Sequence, residues 1–168
     1  MTNKQEHFRL IPLTQGKFAI VDAEDYKQLS RYKWQAERGQ STFCAKRKSN
    51  YKSIKMHRAI LQPLEHLVCD HQNHNGLDNR RRNLRACKQA QNQRSRRPRR
   101  DSTSKHKDLS WSIRARKWRA GIKANGHSTS LGSFGDQMEA ALAYGRKAAE
   151  LFLEFAYLNF PQPIEFRK

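Results

Sequence analysis

The clearest hydrophobic pattern in the chain lies in its second half and has a period of two. Apolar residues take every second position in two consecutive segments, Trp111, Ile113 and Ala115, then Trp118, Ala120 and Ile122. This spacing predicts two strands, each with one apolar face and one basic face. Asn125-Gly126 favours a tight hairpin turn, because both central positions of a type I′ turn need positive φ. HSTSLGSF is therefore expected to pair back as a third strand.

The pattern after this sheet changes to a helical period. Asp136 and Glu139 resemble a capping box that opens a helix over DQMEAALAYGRKAAELFLEF. The apolar face of this helix comprises Ala141, Tyr144, Ala148 and Phe152. The helix is expected to cover the apolar side of the sheet. The opposite side would carry a row of cations suited to phosphates and guanine edges in the major groove, formed by Arg114, Arg116, Arg119 and Lys123.

The first half of the chain predicts shorter elements. FRLIPLTQGKFAIVD is typical of two short strands around Gly16. DAEDYKQLSRY predicts a short helix with Asp22 as its cap. TFCAKRK alternates well enough for a strand, and YKSIKMHRAIL begins extended and changes to helix after Lys55.

The charge of the chain narrows its possible partners. Lys and Arg number 34 against 15 acids in 168 residues, a formal net charge of +19. Such an excess causes self-repulsion unless a polyanion is bound, which favours double-stranded DNA. No apolar run approaches the ~18 residues of a membrane span, and MTNKQEHFRL lacks the apolar core of a signal peptide. We expect an intracellular protein of a bacterial or phage-infected cell, with no membrane and no obligate protein partner.

A strongly basic run divides the chain. QRSRRPRRDSTSKHK, residues 93 to 107, has almost nothing to bury and predicts a flexible linker. The predicted organisation is a domain over residues 1–93, a linker over 94–107 and a second domain over 108–168. Four linker arginines are expected to follow DNA phosphates, namely Arg96, Arg97, Arg99 and Arg100.

Candidate chemistry is concentrated between residues 67 and 93. Asp70 and His71 follow the apolar run Leu67-Val68-Cys69, Gly76 allows a turn, NLRAC can return as a second strand and KQAQNQR can start a helix. In such a β-β-α unit Asn92 could face Asp70, and their oxygens are hard ligands suited to Mg²⁺. A neutral His71 could take a proton from water. His57, His66 and His74 are interpreted as packing or surface histidines.

The order Asp70-His71, Asn83 and Asn92 within DH, NHNGLDNRRRNLR and QNQ resembles the HNH endonuclease family, in the variant of phage and intron-encoded homing endonucleases. The resemblance implies that His71 is the general base and that Asn83 orients the active-site loop. It also implies that Asp70 and Asn92 hold one divalent metal, Mg²⁺ or Mn²⁺. Asn92 replaces the last His of many members, as in members that nick one strand. Phosphate positioning is expected from Arg80, Arg81, Arg82 and Arg85.

A second resemblance covers roughly residues 107 to 161. LGSF, AALAY, Ala148-Ala149 and LNFP are similar to the Apetala-type, ethylene-response-factor DNA-binding domain. That family implies a three-stranded antiparallel sheet packed on one helix, with the sheet in the major groove. Lys123 matches a basic contact position, whereas first-strand arginines of the plant domains fall near Ser110 and Ser112. The segment PLTQGKFAIVDAEDYKQLSRYKW also resembles the region that precedes the nuclease motif in phage endonucleases joining both domains.

These features together predict an α+β chain with an amino-terminal ββα-metal nuclease domain and a carboxy-terminal sheet-and-helix domain. The expected function is metal-dependent hydrolysis of phosphodiester bonds at a recognised DNA site, leaving 5′ phosphate and 3′ hydroxyl ends. One alternative is a non-catalytic, sequence-specific DNA-binding regulator in which Asp70-His71 is structural. Another is a zinc module using Cys69, His71, His74 and Cys87. Because the three cysteines form no CxxC pair, we expect them to be small buried residues instead.

Overall fold

A computed structural model describes residues 8–98 and 101–160. The described residues form a mixed α+β fold, as expected, with small antiparallel sheets and short helices. The chain divides into two compact units, Met1–Gln89 and Ala90–Lys168. The predicted linker residues Arg99 and Arg100 lie outside the described residues.

The first unit contains three of the sheets. Its elements are β1 (Phe8–Pro12), β2 (Phe18–Asp22), α1 (Ala23–Leu29), β3 (Gln35–Arg38), β4 (Phe43–Ser49), β5 (Lys52–Lys55), α2 (Met56–Leu61), β6 (Val68–His71) and β7 (Leu84–Cys87). β1 pairs with β2, β4 lies between β3 and β5, and β6 pairs with β7. The strands around Gly16, the strand at TFCAKRK and the change to helix after Lys55 are therefore confirmed.

The core of the first unit draws one or two side chains from most of its elements. Ala19, Val21 and Met56 are fully buried, and Trp34 is 3 % exposed. The Trp34 indole N–H donates to the Leu29 carbonyl at 2.8 Å, which satisfies the one polar group of this ring and the end of α1 together. These contacts fix β1, β2, α1 and β4 to one core.

Asp22 lies at the predicted cap of α1, but its side chain makes no capping hydrogen bond. Its Oδ2 accepts a hydrogen bond from the backbone N–H of Arg81 at 2.7 Å instead. Capping within a helix is a local interaction, whereas this bond joins residues 59 positions apart. The carboxylate therefore fastens the β6–β7 connection rather than its own helix.

The connection between β6 and β7, residues 72 to 83, is held against the rest of the first unit. The Ile20 N–H donates to the Leu77 carbonyl, and the Asn79 N–H donates to the Ile20 carbonyl, both at 2.8 Å. Gly76 is needed for close approach, because a Cβ there would lie 2.4 Å from the Phe43 carbonyl oxygen. We expected this glycine only to permit a turn, and the backbone of β4 is the actual reason.

The second unit contains one helix packed on a three-stranded sheet. Its elements are α3 (Gln89–Ser95, whose first residue belongs to the first unit), β8 (Leu109–Ser112), β9 (Lys117–Ala124), β10 (His127–Phe134) and α4 (Gln137–Phe152). β9 is central and antiparallel to both neighbours. Ala120 and Ile122 pack against Ala141, Tyr144 and Ala148 of α4. The predicted turn at Asn125-Gly126 is confirmed, with φ of 50° and 84°.

Two local predictions in this unit were wrong. β8 ends at Ser112, and Ile113, which we placed on the apolar face, lies in the turn before β9 and is 85 % exposed. Trp111 pairs directly with Trp118, so the chain must reverse over residues 113 to 116 and leaves no room for a longer strand. Asp136 is the first residue before α4, but its side chain accepts no capping hydrogen bond, so the expected capping box is not formed.

The described carboxyl end of the basic run, residues 101 to 107, packs within the second unit, although we expected almost nothing there to bury. Ser104 is 1 % exposed and its Oγ accepts hydrogen bonds from the His106 N–H and the Gln137 amide. The Lys107 ammonium donates to the carbonyls of Gln93 and Arg96, and burial lowers its pKa to about 8. Short polar side chains form hydrogen bonds within the fold here, which the composition of the segment does not predict.

None of the helices in residues 8–98 and 101–160 combines the length and the hydropathy that a membrane span requires.

Candidate active site and nucleic-acid surface

Asp70 and His71 occupy the last two positions of β6, as the sequence predicted. Asp70 is 6 % exposed and lies opposite Arg85 on β7. The Arg85 Nε and Nη2 atoms both donate to Asp70 Oδ2, at 2.9 and 2.7 Å. A buried carboxylate needs such a partner, and the cross-strand arginine supplies the compensating charge.

Asn83 organises the connection that follows His71. Its amide N–H donates to the Asp78 carbonyl at 2.7 Å, and its Oδ1 accepts from the Asn73 N–H at 3.0 Å. The Asn73 side chain in turn donates to Asp78 Oδ2 at 2.8 Å. Asn83 is buried, so these bonds form away from water. The geometry matches the loop-orienting role that the resemblance implied, and that role itself stays a prediction.

His71 lies between two side chains that sequence reasoning did not select. Its Nε2 is 3.3 Å from Oδ1 of Asn79, which is completely buried. Its ring meets the ring of His57 edge to face, with centroids 5.0 Å apart and an angle of 85° between the planes. From the sequence, His57 is interpreted only as a packing or surface histidine. No sequence signal marks them, because His57 comes from α2 and Asn79 from the loop.

Burial keeps both imidazoles neutral. It lowers the pKa of His71 below its ordinary value, against the opposing effects of the Asn79 contact and the Asp70 and Asp78 carboxylates. It lowers the pKa of His57 to about 3, helped by repulsion from His71 when that ring is protonated and by the charges of Lys55 and Arg58. A neutral ring carries a nitrogen lone pair, which is the state that a general base requires.

Asn92, the other predicted metal ligand, lies on α3 in the second unit and is half-buried. The pairing of Asn92 with Asp70 therefore stays a prediction. Among the described residues, three acidic groups do converge, Asp22, Glu24 and Asp25. Arg81 pairs with Asp25 at 2.7 Å and with Glu24 at 3.1 Å, which assigns this cluster a structural role.

Several arginines expected on phosphates near Asp70-His71 have carboxylate partners inside the fold. Arg80 donates to both oxygens of Asp78 at 2.8 and 2.7 Å, and these bonds lower the pKa of that carboxyl. Arg81 is bound to Asp25 and Arg85 to Asp70. Arg82 is exposed. A guanidinium has five donors, so a paired arginine can still present some of them to a phosphate.

The cations predicted on the sheet of the second unit divide into two groups. Arg119 and Lys123 lie on the exposed face of β9, opposite the helix, whereas Arg114 and Arg116 lie in the turn before that strand. Lys117 begins β9 on the same face as Arg119, and we missed it because the first strand was predicted too long. Arg96 and Arg97 are exposed.

The cysteines do not support a zinc module. No group of Cys69, His71, His74 and Cys87 converges within ligand distance in the part of the chain that the structure describes. Only Cys87 is buried, whereas Cys44 and Cys69 are half-buried, so the expectation of three buried cysteines was wrong for two of them. Cys69 Sγ donates to the His57 carbonyl, a contact consistent with packing.

The chain is similar to an uncharacterized HNH endonuclease of Acanthamoeba polyphaga mimivirus. The two are 28 % identical over 159 residues, which cover 91 % of this chain and 80 % of that protein. No family model matches the chain, and no solved structure matches it. The similarity extends along most of the chain and supports an HNH nuclease domain here. The resemblance of the second unit to the Apetala-type domain stays a prediction.

Proposed function

We propose that this protein is a metal-dependent DNA endonuclease that hydrolyses phosphodiester bonds. The observation that supports it most strongly is the end of β6, where His71 lies beside Asp70 on a connection that Asn83 holds in place. A rigid strand end is a suitable support for reacting groups, because small displacements cost much of the rate. The similarity to a protein named as an HNH endonuclease agrees with it.

His71 is the proposed general base. In the tautomer that donates Nε2–H to Asn79 Oδ1, the lone pair of the ring lies on Nδ1. Nδ1 would take a proton from the attacking water as that water adds to phosphorus. Asn79 is then a positioning residue, which fixes the tautomer and the orientation of the ring.

The oxygen donors Asp70 and Asn92 are the residues proposed to hold Mg²⁺ or Mn²⁺. Their carboxylate and amide oxygens are of the hard type that these ions prefer, and the ion when bound would stabilise charge on the leaving 3′ oxygen. Asp70 Oδ2 accepts two hydrogen bonds from Arg85 in the structure. We propose that Arg85 turns towards a DNA phosphate when substrate arrives, which makes Asp70 available.

The homing character and the nicking of one strand are further parts of the proposal. A single Asp70-His71 pair supplies one reacting centre for each chain, which suffices for one strand. Arg82, Arg96 and Arg97, with the exposed cations of β9, would bind phosphates and base edges of double-stranded DNA around it. The expected ends are 5′ phosphate and 3′ hydroxyl, as in phage and intron-encoded members of the resembled family.

The Asp70–Arg85 ion pair favours one second candidate, a DNA-binding regulator without catalysis. An ion pair between a carboxylate and an arginine on the neighbouring strand can have a purely structural role. In that case binding of DNA would survive loss of His71, and no strand break would depend on metal.

The experiment that tests the proposal is nicking of a supercoiled plasmid library with random inserts, with Mg²⁺ and with chelator. We expect wild-type protein to nick only with the metal and His71→Ala to lose at least about 100-fold in rate, since general-base catalysis contributes about 10² to 10⁴. Asn79→Ala should lose about tenfold or more while its DNA affinity is kept. His66→Ala, which changes an exposed histidine of the same unit, is the matched control.

Two outcomes would decide against the nuclease. Equal nicking by wild type and His71→Ala would show that another residue, or a contaminant, breaks the strand. Binding of the library by both proteins without nicking under Mg²⁺ or Mn²⁺ would favour the regulator.

A further inference from the structure

The tip of the β4–β5 hairpin has an unusual residue in its turn. Ser49 and Lys52 are the last paired residues, so Asn50 and Tyr51 form a two-residue turn, with φ of 45° and 62°. Both values belong to the left-handed region, which glycine and asparagine enter readily and a bulky side chain does not. Tyrosine therefore strains the turn where glycine would relieve it.

The second unit shows how the same chain builds an unstrained turn of this kind. Asn125 and Gly126 join β9 to β10 with φ of 50° and 84°. Asn-Gly is the pair that a type I′ turn favours. The two-residue turns of the two hairpins thus differ only at their second position, which is Tyr51 in one and Gly126 in the other. The stability of the turn by itself favours the glycine.

Packing does not explain the tyrosine either. Its exposure is 108 %, the highest among the exposed large hydrophobic residues of the described chain. A ring that is fully in water contributes no burial to stability. Strain without a folding benefit is typical of positions kept for binding.

The hairpin that carries this ring is strongly basic. Residues 43 to 55 include five cations and no acid: Lys46, Arg47, Lys48, Lys52 and Lys55. Lys46 pairs with Glu37, and the Arg47 guanidinium lies 3.9 Å above the Tyr32 ring, so these two belong to the base of the hairpin. Lys48 and Lys52 are exposed next to the tip, whereas Lys55 is exposed at the base, opposite Lys46.

The base of the hairpin is rigid enough to present this tip. Ala45 on β4 is 1 % exposed and belongs to the core of the first unit. β4 pairs with β3 through residues 43–46 and with β5 through residues 46–49. The tip is therefore carried by a hydrogen-bonded strand pair whose base is fixed in the core, and not by a loose loop.

We infer that the β4–β5 hairpin is a DNA-binding arm, in which Lys48 and Lys52 contact phosphates and Tyr51 stacks on a base. Aromatic rings stack on bases with little regard to sequence, a side chain wedged into a duplex partly unstacks one base step, and cations beside it track the backbone. The partner is a polyanion with planar bases, since that chemistry uses both the charge and the ring. The inference rests on the proposed function only in taking DNA as the partner.

The test is binding of a duplex that carries a fluorescent base analogue, measured with the full chain and with chelator so that no strand is cut. Tyr51→Gly should bind about tenfold more weakly and lose the quenching of the analogue that stacking produces. Its melting temperature should equal or exceed that of wild type, because glycine relieves the turn. Tyr51→Phe keeps the ring and should bind like wild type.

Two controls separate the arm from general effects. Leu64→Ala removes another exposed apolar side chain, 66 % exposed, from the first unit and should leave the affinity unchanged. Lys48→Gln with Lys52→Gln should reduce the slope of log affinity against log salt by about 1.8, at about 0.9 for each phosphate contact. Lys27→Gln with Lys33→Gln, the same change of charge elsewhere on the first unit, should reduce it less.

The inference is overturned if Tyr51→Gly binds the duplex as wild type does, or if Leu64→Ala loses as much affinity. It is also overturned if Tyr51→Gly keeps its affinity for duplex DNA and loses affinity for single-stranded RNA or for vesicles of anionic lipid. Because chelator is present throughout, a protein that never nicks can still bind through Tyr51. Failure of the nuclease proposal and failure of this inference are thereby distinguishable.

Discussion

Burial determines what the individual histidines of the first unit can do. His57 is 7 % exposed, whereas His66 lies on the surface. The buried ring of His57 is held neutral by loss of hydration, by repulsion from His71 whenever that ring is protonated, and by the charges of Lys55 and Arg58, which together lower its pKa to about 3. A neutral His57 can pack edge to face on His71 without repelling a proton on it.

The burial of His57 predicts how stability depends on pH. The folded pKa of His57 is about 3, below the ordinary 6.5, so the unfolded chain takes up the proton first as the pH falls. The free energy of unfolding should therefore be full above pH 6.5 and decrease below it, by up to about 1.4 kcal/mol per pH unit, until the folded pKa is reached.

The measurement is denaturant unfolding at a series of pH values from about pH 7.5 to about pH 4. His57→Gln cannot take up a proton and should show a flatter decrease than wild type. His66→Gln should follow wild type. A decrease of equal steepness in wild type and His57→Gln would assign the pH dependence to other groups.

At the scale of elements, β9 is the strand on which recognition is expected to depend. Its exposed face presents Lys117, Arg119 and Lys123, and Ser110 and Ser128 lie opposite Arg119 and Lys123 on the neighbouring strands. Because the serine side chains are short, the sugar-phosphate backbone or a groove of DNA can approach the sheet between the long basic side chains. The end of β8 at Ser112 moves Arg114 and Arg116 from this face into the turn.

Removal of the cations on β9 should therefore reduce the sequence specificity of the protein and leave hydrolysis intact. Arg119→Ala with Lys123→Ala should lower discrimination between a DNA site that wild-type protein nicks and a changed site by about 1 to 3 kcal/mol for each base that either side chain reads. The double variant should still hydrolyse a weakly specific substrate. Arg146→Ala with Lys147→Ala, on α4, removes equal charge from the covered side of the sheet and is the control. An unchanged cleavage pattern in the β9 variant would count against the sheet as the reader of sequence.

At the scale of the whole molecule, the net charge of +19 exceeds what any single site uses. Several positive regions share it, including the β4–β5 hairpin, the exposed face of β9 and the basic run after α3. Seven Lys or Arg lie in residues 94 to 107, against one Asp. Since residues 101 to 107 are packed in the second unit, deletion of the run would damage the fold, and substitution is the appropriate test.

The salt dependence of DNA binding measures how many phosphate contacts the basic run contributes. Arg96→Gln with Arg97→Gln removes two exposed cations and should decrease the slope of log affinity against log salt by about 1.8, if each contacts one phosphate. Lys27→Gln with Lys33→Gln supplies the comparison at equal charge. If the two double variants had the same slope, the basic run would act only through net charge.

The sequence by itself determined most of the strands and helices of this protein and the residue types available for its chemistry. The period of two in β9, the Asn125-Gly126 turn, the change to helix after Lys55 and the Asp70-His71 strand end are local features, and short-range backbone preferences and side-chain periodicity decide them. Only the tertiary structure decided which polar groups are paired. Arg81 meets Asp25 across 56 residues, and Asn79 and His57 reach His71 from a loop and a helix. Such partners are brought together by the packing of the core, which no local pattern encodes. The ion pairs that Arg80, Arg81 and Arg85 form with carboxylates could therefore not be predicted from the sequence.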